Sequence, residues 1–181
     1  MTDYRHSVAD YADQRAELVK RVAEHIEQSR QEHQRKGMVF TSVTPEQLQH
    51  KLERTNSPMI VSQGWSGSAP VGGTLSYTVG ISNPDPVDRG SLFVHLFIGP
   101  ANIAPDVSES VSAVDPRFPR LTKPGFAGLV VKAGAFEHVE FTIPVPTVEK
   151  SNYLGNSFLF QSTWHDPGTY LDRSLFVFEV T

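Results

Sequence analysis

The stretch 74–99, TLSYTVGISNPDPVDRGSLFVHLFIG, constrains the fold most, because it joins two strand patterns through a dense turn sequence. Residues 74–82 alternate apolar and polar side chains, which is the pattern of a strand with one buried and one wet face. Residues 91–98 are apolar on both sides, so both faces of this strand are expected to be covered. The pair predicts the first half of an antiparallel β-sandwich.

Further strand patterns follow the same logic and complete the sandwich. They lie at 59–63, 129–131, 138–146, 157–164 and 174–180. The turn KAGA between the second and third of these predicts a hairpin. In the last two strands the phenylalanines are expected to line the core, with Leu159, Leu175 and Val177 on the opposite face. These phenylalanines are Phe158, Phe160, Phe176 and Phe178.

The first 56 residues have a different pattern, because good helix formers replace the strand alternation. Residues 7–36 contain neither Gly nor Pro and predict one long helix. Val19, Val22 and Ile26 form its narrow apolar stripe, and coiled-coil assembly is an alternative to docking on a sheet. We therefore expect a helical arm over residues 1–56.

A second, short helix is predicted at 44–54 by its start signal. Thr44 is suited to the N-cap, Pro45 to the first helical position and Gln47 to the capping box. The sandwich domain then spans 57–181. Its proline-rich segment 99–127 is predicted to be a long loop rather than a sheet strand.

The order of these elements resembles an immunoglobulin-like sandwich, and locally the bacterial cell-adhesion-related CARDB-type domains. The residues that carry the likeness are GGTLSYTVGISNP at 72–84, SLFVHLFIG at 91–99 and VVKAGAFEHVEFTIPVP at 130–146. The resemblance implies a mainly β protein, an antiparallel sandwich of about seven strands with the N-terminal α-helical arm beside it. It implies a fold and not an activity.

In that topology, the two-sided strands fall in one sheet and leave an apolar patch on its outer face. The patch would comprise Phe93, Phe97, Leu159, Leu175 and Val177. Such a patch is larger than most monomers expose, so we expect a cover. The candidate covers within the chain are the stripe of Val19, Val22 and Ile26 and the short helix with Leu48 and Leu52. A neighbouring subunit is the alternative.

Composition excludes several classes of site. The net charge is −4 with no basic face, which argues against nucleic-acid binding. The absence of cysteine excludes disulfides, thiolate metal sites and a cysteine nucleophile. No signal peptide or membrane-spanning run is visible, so a cytoplasmic protein is expected, with export by a non-Sec route as an alternative.

Aspartates in two loops form a candidate ligand site. Asp85 and Asp88 precede one strand, and Asp166 and Asp172 lie between the last two strands, at the same end of an immunoglobulin-like sandwich. Clustered carboxylates could bind Ca²⁺, whereas isolated ones are common turn residues. No other cofactor is expected.

Other candidates are weaker. Trp65, Trp164 and Tyr170 suggest an aromatic platform for carbohydrate, although Trp164 is in phase with the core. His138 and Glu140 share a strand face without a third metal ligand, and His95 fits the edge of the core.

No catalytic constellation is found: Gly64-Trp65-Ser66-Gly67-Ser68 lacks the final glycine of a nucleophile elbow. We therefore expect a non-catalytic interaction or assembly protein that binds a protein or self-associates. A module that binds carbohydrate or Ca²⁺ is the alternative.

Overall fold

The computed structural model describes residues 4–100, 128–145, 151–161 and 169–181. Helix α1 spans Tyr4–Arg35, where the long helix was predicted. Helix α2 spans Pro45–Arg54. Thr44 caps α2 through the predicted capping box: its hydroxyl accepts a bond from the amide of Gln47, whose side chain in turn accepts one from the amide of Thr44.

The described residues contain nine strands in two sheets. They are β1 Val39–Ser42, β2 Met59–Trp65, β3 Ser68–Ala69, β4 Thr74–Ser82, β5 Arg89–Pro100, β6 Leu129–Val131, β7 Phe136–Pro144, β8 Ser151–Gln161 and β9 Thr169–Val180. One sheet has the order β1-β2-β4-β7, and the other has the order β3-β9-β8-β5-β6. The main core lies between them. The predicted immunoglobulin-like β-sandwich is confirmed, with short edge strands in addition.

The predicted hairpin at 129–146 does not form. Strand β6 pairs with β5 in the five-stranded sheet, whereas β7 pairs with β4 in the four-stranded sheet. The fully buried Asn83 side chain fixes this crossing, because its amide donates to the carbonyls of Val131 and Lys132. The segment therefore connects the two sheets instead of folding back within one.

Helix α1 packs on the four-stranded sheet, and the prediction that it covers the five-stranded sheet of its own chain is wrong. Val22 and Ile26 are buried there against Met59 and Val61, and Val19 is half-buried beside them. Leu48 and Leu52 of α2 complete this second core. Ile60 faces the main core and the next residue, Val61, faces the helix, as strand alternation requires. A β-bulge between Ile60 and Ser62 shifts this alternation, so that Trp65 also faces the main core.

Strand β8 has the opposite phase to the one predicted. Leu159 is fully buried in the main core, whereas Phe158 and Phe160 pair with the outward-facing His95 and Phe93. The inward residues that precede Leu159 are Gly155 and Ser157. Phe176 and Phe178 of β9 do lie in the core, as predicted.

Small residues face inward on β8 because rings from other strands occupy the space. A Cβ atom at Gly155 would lie 2.3 Å from the ring of Phe176. Ser157 is hydrogen-bonded at 2.6 Å to the hydroxyl of Tyr77, which also donates to Gln63. Burial raises the pKa of Tyr77, so this phenol stays protonated and can donate.

Candidate functional site

The outer face of the five-stranded sheet carries exposed apolar side chains. Leu175 and Val177 point outward from β9 and are 41% and 50% exposed. Their neighbours on β8 are Asn156 and Leu154, both half-buried. We call Leu154, Asn156, Leu175 and Val177 the outer stripe.

The predicted patch is thus present on β9 but differs elsewhere. Leu159 belongs to the core, and Phe93 is half-buried on the outer side of β5. The side chain of Phe97 lies outside the described part of the chain. The patch is therefore narrower than predicted and centred on β9.

Aromatic rings cluster at one end of the same face. The ring of Phe160 lies 5.2 Å from that of His95 and 6.1 Å from that of Tyr170, and Phe158 lies 6.2 Å from Tyr170. Tyr170 is 52% exposed. Partial burial, followed by the nearby Asp172 carboxylate, raises the pKa of Tyr170, so its hydroxyl is a donor at neutral pH.

Trp65 does not belong to this aromatic cluster, because its side chain lies inside the sandwich and forms a hydrogen bond to the edge of β9. It is 6% exposed, and its Nε1 donates to the carbonyl of Val177 at 3.0 Å. Gln63 donates in the same way to the carbonyl of Leu175. Trp164 lies outside the described residues. The predicted carbohydrate platform is reduced to Tyr170 and its neighbours.

The carboxylates of the two aspartates before β5 stabilise the nearby backbone. Asp85 pairs with Arg89 at 2.8 Å and also accepts a bond from the amide of Val87. Asp88 accepts a bond from the amide of Ala133. Both carboxylates therefore hold turns together, as aspartates commonly do.

Asp172 lies apart from these two and joins three elements. Its Oδ2 accepts bonds from the amide of Ile60 on β2 at 2.8 Å and from Nζ of Lys51 on α2 at 3.0 Å. Asp166 lies outside the described residues. No group of three His, Asp or Glu side chains suited to a metal gathers in the described ranges, so the predicted aspartate cluster is not formed by Asp85, Asp88 and Asp172.

A groove of about 460 Å³ lies between the second half of α1 and the outer surface of β4 and β7. Polar residues line most of it, among them Glu32, Lys36, Thr78, His138 and Glu140. We call it the α1–β7 groove. It opens beside β7, at the end of the four-stranded sheet order.

His33 anchors α1 at the base of this groove. It is 3% exposed, and its Nδ1 lies 2.5 Å from the carbonyl of Ser29 while its Nε2 lies 2.7 Å from the hydroxyl of Thr78. Because a carbonyl can only accept, Nδ1 donates to Ser29, and the hydroxyl of Thr78, which is bonded to Nε2, also donates to the carbonyl of Gly64. A Cβ atom at Gly64 would lie 2.2 Å from this ring, so only glycine leaves room for it.

His138 and Glu140 lie on the outer face of β7, as their spacing predicted. The ring of His138 meets that of His33 edge-on, with 5.7 Å between the ring centres. Partial burial, followed by His33 and more weakly by Lys36, lowers the pKa of His138, against an opposing effect of Glu140. His138 is therefore a neutral polar group at neutral pH.

Comparison with solved structures confirms the fold. The C-terminal domain of Wzt is similar over 80% of this chain and 78% of that domain, with a TM-score of 0.53 and 12% identity. A CARDB domain from Pyrococcus furiosus is similar over 69% of this chain and 86% of that one, with a TM-score of 0.41 and 13% identity. The likeness to the Wzt domain shows a shared β-sandwich fold, which leaves the activity open. No protein-family model and no curated protein matches the chain.

Sequence reasoning missed the α1–β7 groove and its anchor. The signal was present as Gly64 within β2, because a strand glycine often marks the close approach of another group, here the ring of His33. Within the described residues, no helix is long and apolar enough to cross a membrane.

Proposed function

We propose that this chain is a non-catalytic interaction domain that binds a protein partner through the outer stripe. The observation that supports this most directly is the exposure of Leu175 and Val177 on a sheet that neither α1 nor α2 covers. Exposed neighbouring apolar residues on a regular sheet are typical of protein interaction surfaces.

The energetics favour an apolar partner surface. At about 25 cal/mol per Å², covering about 200 Å² of apolar area contributes on the order of 5 kcal/mol before the costs of association. Asn156, which lies opposite Leu175, supplies an amide for orientation. A partner with an apolar centre and a polar rim fits this stripe.

Carbohydrate binding is a second candidate, favoured by Tyr170. Its half-exposed ring stands beside Phe158 and Phe160, and its protonated hydroxyl offers a donor next to an apolar surface. Aromatic rings with an adjacent polar group suit the apolar and hydroxyl faces of a sugar. This site and the outer stripe lie on the same sheet face but at different positions along β9.

Site-specific photo-crosslinking in the native cell tests the protein-binding proposal. A photoreactive phenylalanine at position 175 or 177 should trap one discrete partner, whereas the same residue at the exposed Gln49 of α2 should not. Leu175→Asn combined with Val177→Asn should abolish capture by a probe at position 154 while leaving the melting temperature unchanged. Equal capture from position 49, or capture unaffected by the double substitution, would contradict the proposal.

A glycan-binding measurement separates the second candidate. Tyr170→Ala should remove carbohydrate binding, and Leu175→Asn with Val177→Asn should leave it intact. Binding that survives Tyr170→Ala would show that the aromatic cluster is not the sugar site.

A further inference from the structure

The inference concerns β7, which is a long edge strand. Within the described residues β7 pairs with β4 on one side, and nothing pairs with its other side. At the other ends of the two sheet orders the strands are short: β1, β3 and β6 are four, two and three residues long. Gln63 and Trp65 in addition satisfy two carbonyls of β9.

The register shows which backbone groups of β7 face outward. The amide of Val145 donates to the carbonyl of Gly73, and the amide of Asn83 donates to the carbonyl of Ala135. In an antiparallel ladder the bonded pairs recur at every second residue, so the odd-numbered residues of β7 direct N–H and C=O toward β4. The even-numbered residues His138, Glu140 and Thr142 direct theirs away from the sheet. We call these outward groups the β7 edge.

The side chains along this edge make it self-complementary. His138 and Glu140 are both exposed on the outer face of β7, two residues apart. When two copies of β7 pair antiparallel about a two-fold axis, one register places His138 opposite Glu140 of the partner subunit, twice. The neighbouring registers place two glutamates or two histidines opposite each other. Two glutamates opposite each other repel, and two neutral imidazoles opposite each other have no carboxylate acceptor. An imidazole N–H opposite a carboxylate instead forms a charge-assisted hydrogen bond.

We propose that two copies of this chain dimerise through the β7 edge, with His138 opposite Glu140 of the partner subunit. The two four-stranded sheets then form one continuous sheet. The two α1–β7 grooves open side by side on the same surface. This surface is separate from the outer stripe, so the proposal holds or fails independently of the proposed function.

Sedimentation of the full chain over a wide concentration range provides the first test. The wild type should show a monomer–dimer equilibrium. His138→Glu and Glu140→His should each weaken dimerisation by about tenfold or more, because each replaces both favourable pairs by like pairs. The combined variant, His138→Glu with Glu140→His, should restore the affinity to within about threefold, because it re-forms opposite pairs in the same register.

A proline variant tests the backbone contribution. Glu140→Pro removes an amide that faces away from β4, so it should abolish dimerisation and keep the fold. Glu140→Ala is the matched control that loses the same carboxylate but keeps the amide, and it should dimerise better than the proline variant. Circular dichroism verifies the fold of each variant.

Three outcomes would overturn the proposal. They are a wild type that stays monomeric at all concentrations, single charge swaps without effect, and a combined swap that does not recover. The charge swaps leave the backbone intact, so the proposal remains testable even if the proline variant unfolds.

Discussion

The indole Nε1 of Trp65 donates a 3.0 Å hydrogen bond to the carbonyl of Val177, so a side chain of one sheet satisfies the edge of the other. The indole thereby fills space in the core and also satisfies a backbone carbonyl of β9. Trp65→Phe should destabilise the fold by about 1–3 kcal/mol, because it leaves a carbonyl unpaired and reduces packing. Urea unfolding measures this loss. Tyr170→Phe, at a half-exposed ring, is the control and should change stability by less than about 0.5 kcal/mol. Equal losses would contradict the role given to the indole.

The junction at Asp172 predicts unequal effects of its two partners. Asp172→Ala should cost about 1.5–3 kcal/mol, because the amide of Ile60 and the ammonium of Lys51 both lose their acceptor. Lys51→Met should cost less than about 1 kcal/mol, since the Lys51 side chain is 35% exposed and the amide of Ile60 keeps its bond. A double-mutant cycle separates the two contributions. A loss at Lys51 as large as that at Asp172 would show that the ion pair dominates.

The contact between Gly64 and His33 predicts a strong coupling. Gly64→Ala should destabilise the protein by about 1–3 kcal/mol, because the new methyl group overlaps the His33 ring. In a His33→Ala background the same change should cost little, since the overlapping ring is gone. Denaturant unfolding of the four proteins gives the coupling energy. If Gly64→Ala lowers the free energy of unfolding equally with and without the His33 ring, overlap with that ring is not the cause of the destabilisation.

The lowered pKa of His138 predicts how stability depends on pH. The imidazole of His138 has a pKa near the usual value of about 6.5 in the unfolded chain and a lower pKa in the folded chain. Between these two values only the unfolded chain binds the proton, so protonation favours unfolding. The contribution is complete above the higher value and is lost as the pH falls through the lower, folded pKa. His138→Gln should therefore lose less stability between about pH 8 and pH 5 than the wild type. Thermal melts across this range measure the difference.

NMR titration provides the control for that prediction. Lys36→Met should raise the pKa of His138, because it removes a nearby positive charge. An unchanged pKa would mean that Lys36 does not act on this imidazole.

Strand alternation was sufficient to predict the sandwich but not the phase of every strand. The prediction for Phe176 and Phe178 is correct, because these inward positions of β9 hold large aromatic side chains and the outward positions beside them do not. On β8 the inward positions hold Gly155 and Ser157, so hydrophobicity alone favoured Phe158 and Phe160. The cause is non-local: the ring of Phe176 and the hydroxyl of Tyr77 fill that space from other strands.

The docking site of α1 depended on steric detail rather than on apolar pattern. The alternation of 74–82 predicted a wet outer face for its sheet, and the strands that are apolar on both sides favoured docking on the other sheet. The four-stranded sheet receives the helix because Gly64 leaves space for His33 and because Met59 and Val61 face outward and pack against the helix. Likewise, residue types suggested a cluster of aspartates, but Asp85, Asp88 and Asp172 each bond to different partners: Arg89, Ala133, and Ile60 with Lys51.

The bonds that join β2 to β9 share a constant offset in sequence. Ile60 meets Asp172, Gln63 meets Leu175 and Trp65 meets Val177, each pair separated by 112 residues. The two strands therefore run in parallel along this seam, and closing it brings together segments that are distant in the chain. Such closure is slow, because the entropy of a long loop is lost before the contacts form. We expect this seam to form late in folding, and hydrogen exchange during refolding should show the amide of Ile60 protected after those of the β8–β9 pair, whose strands are neighbours in sequence.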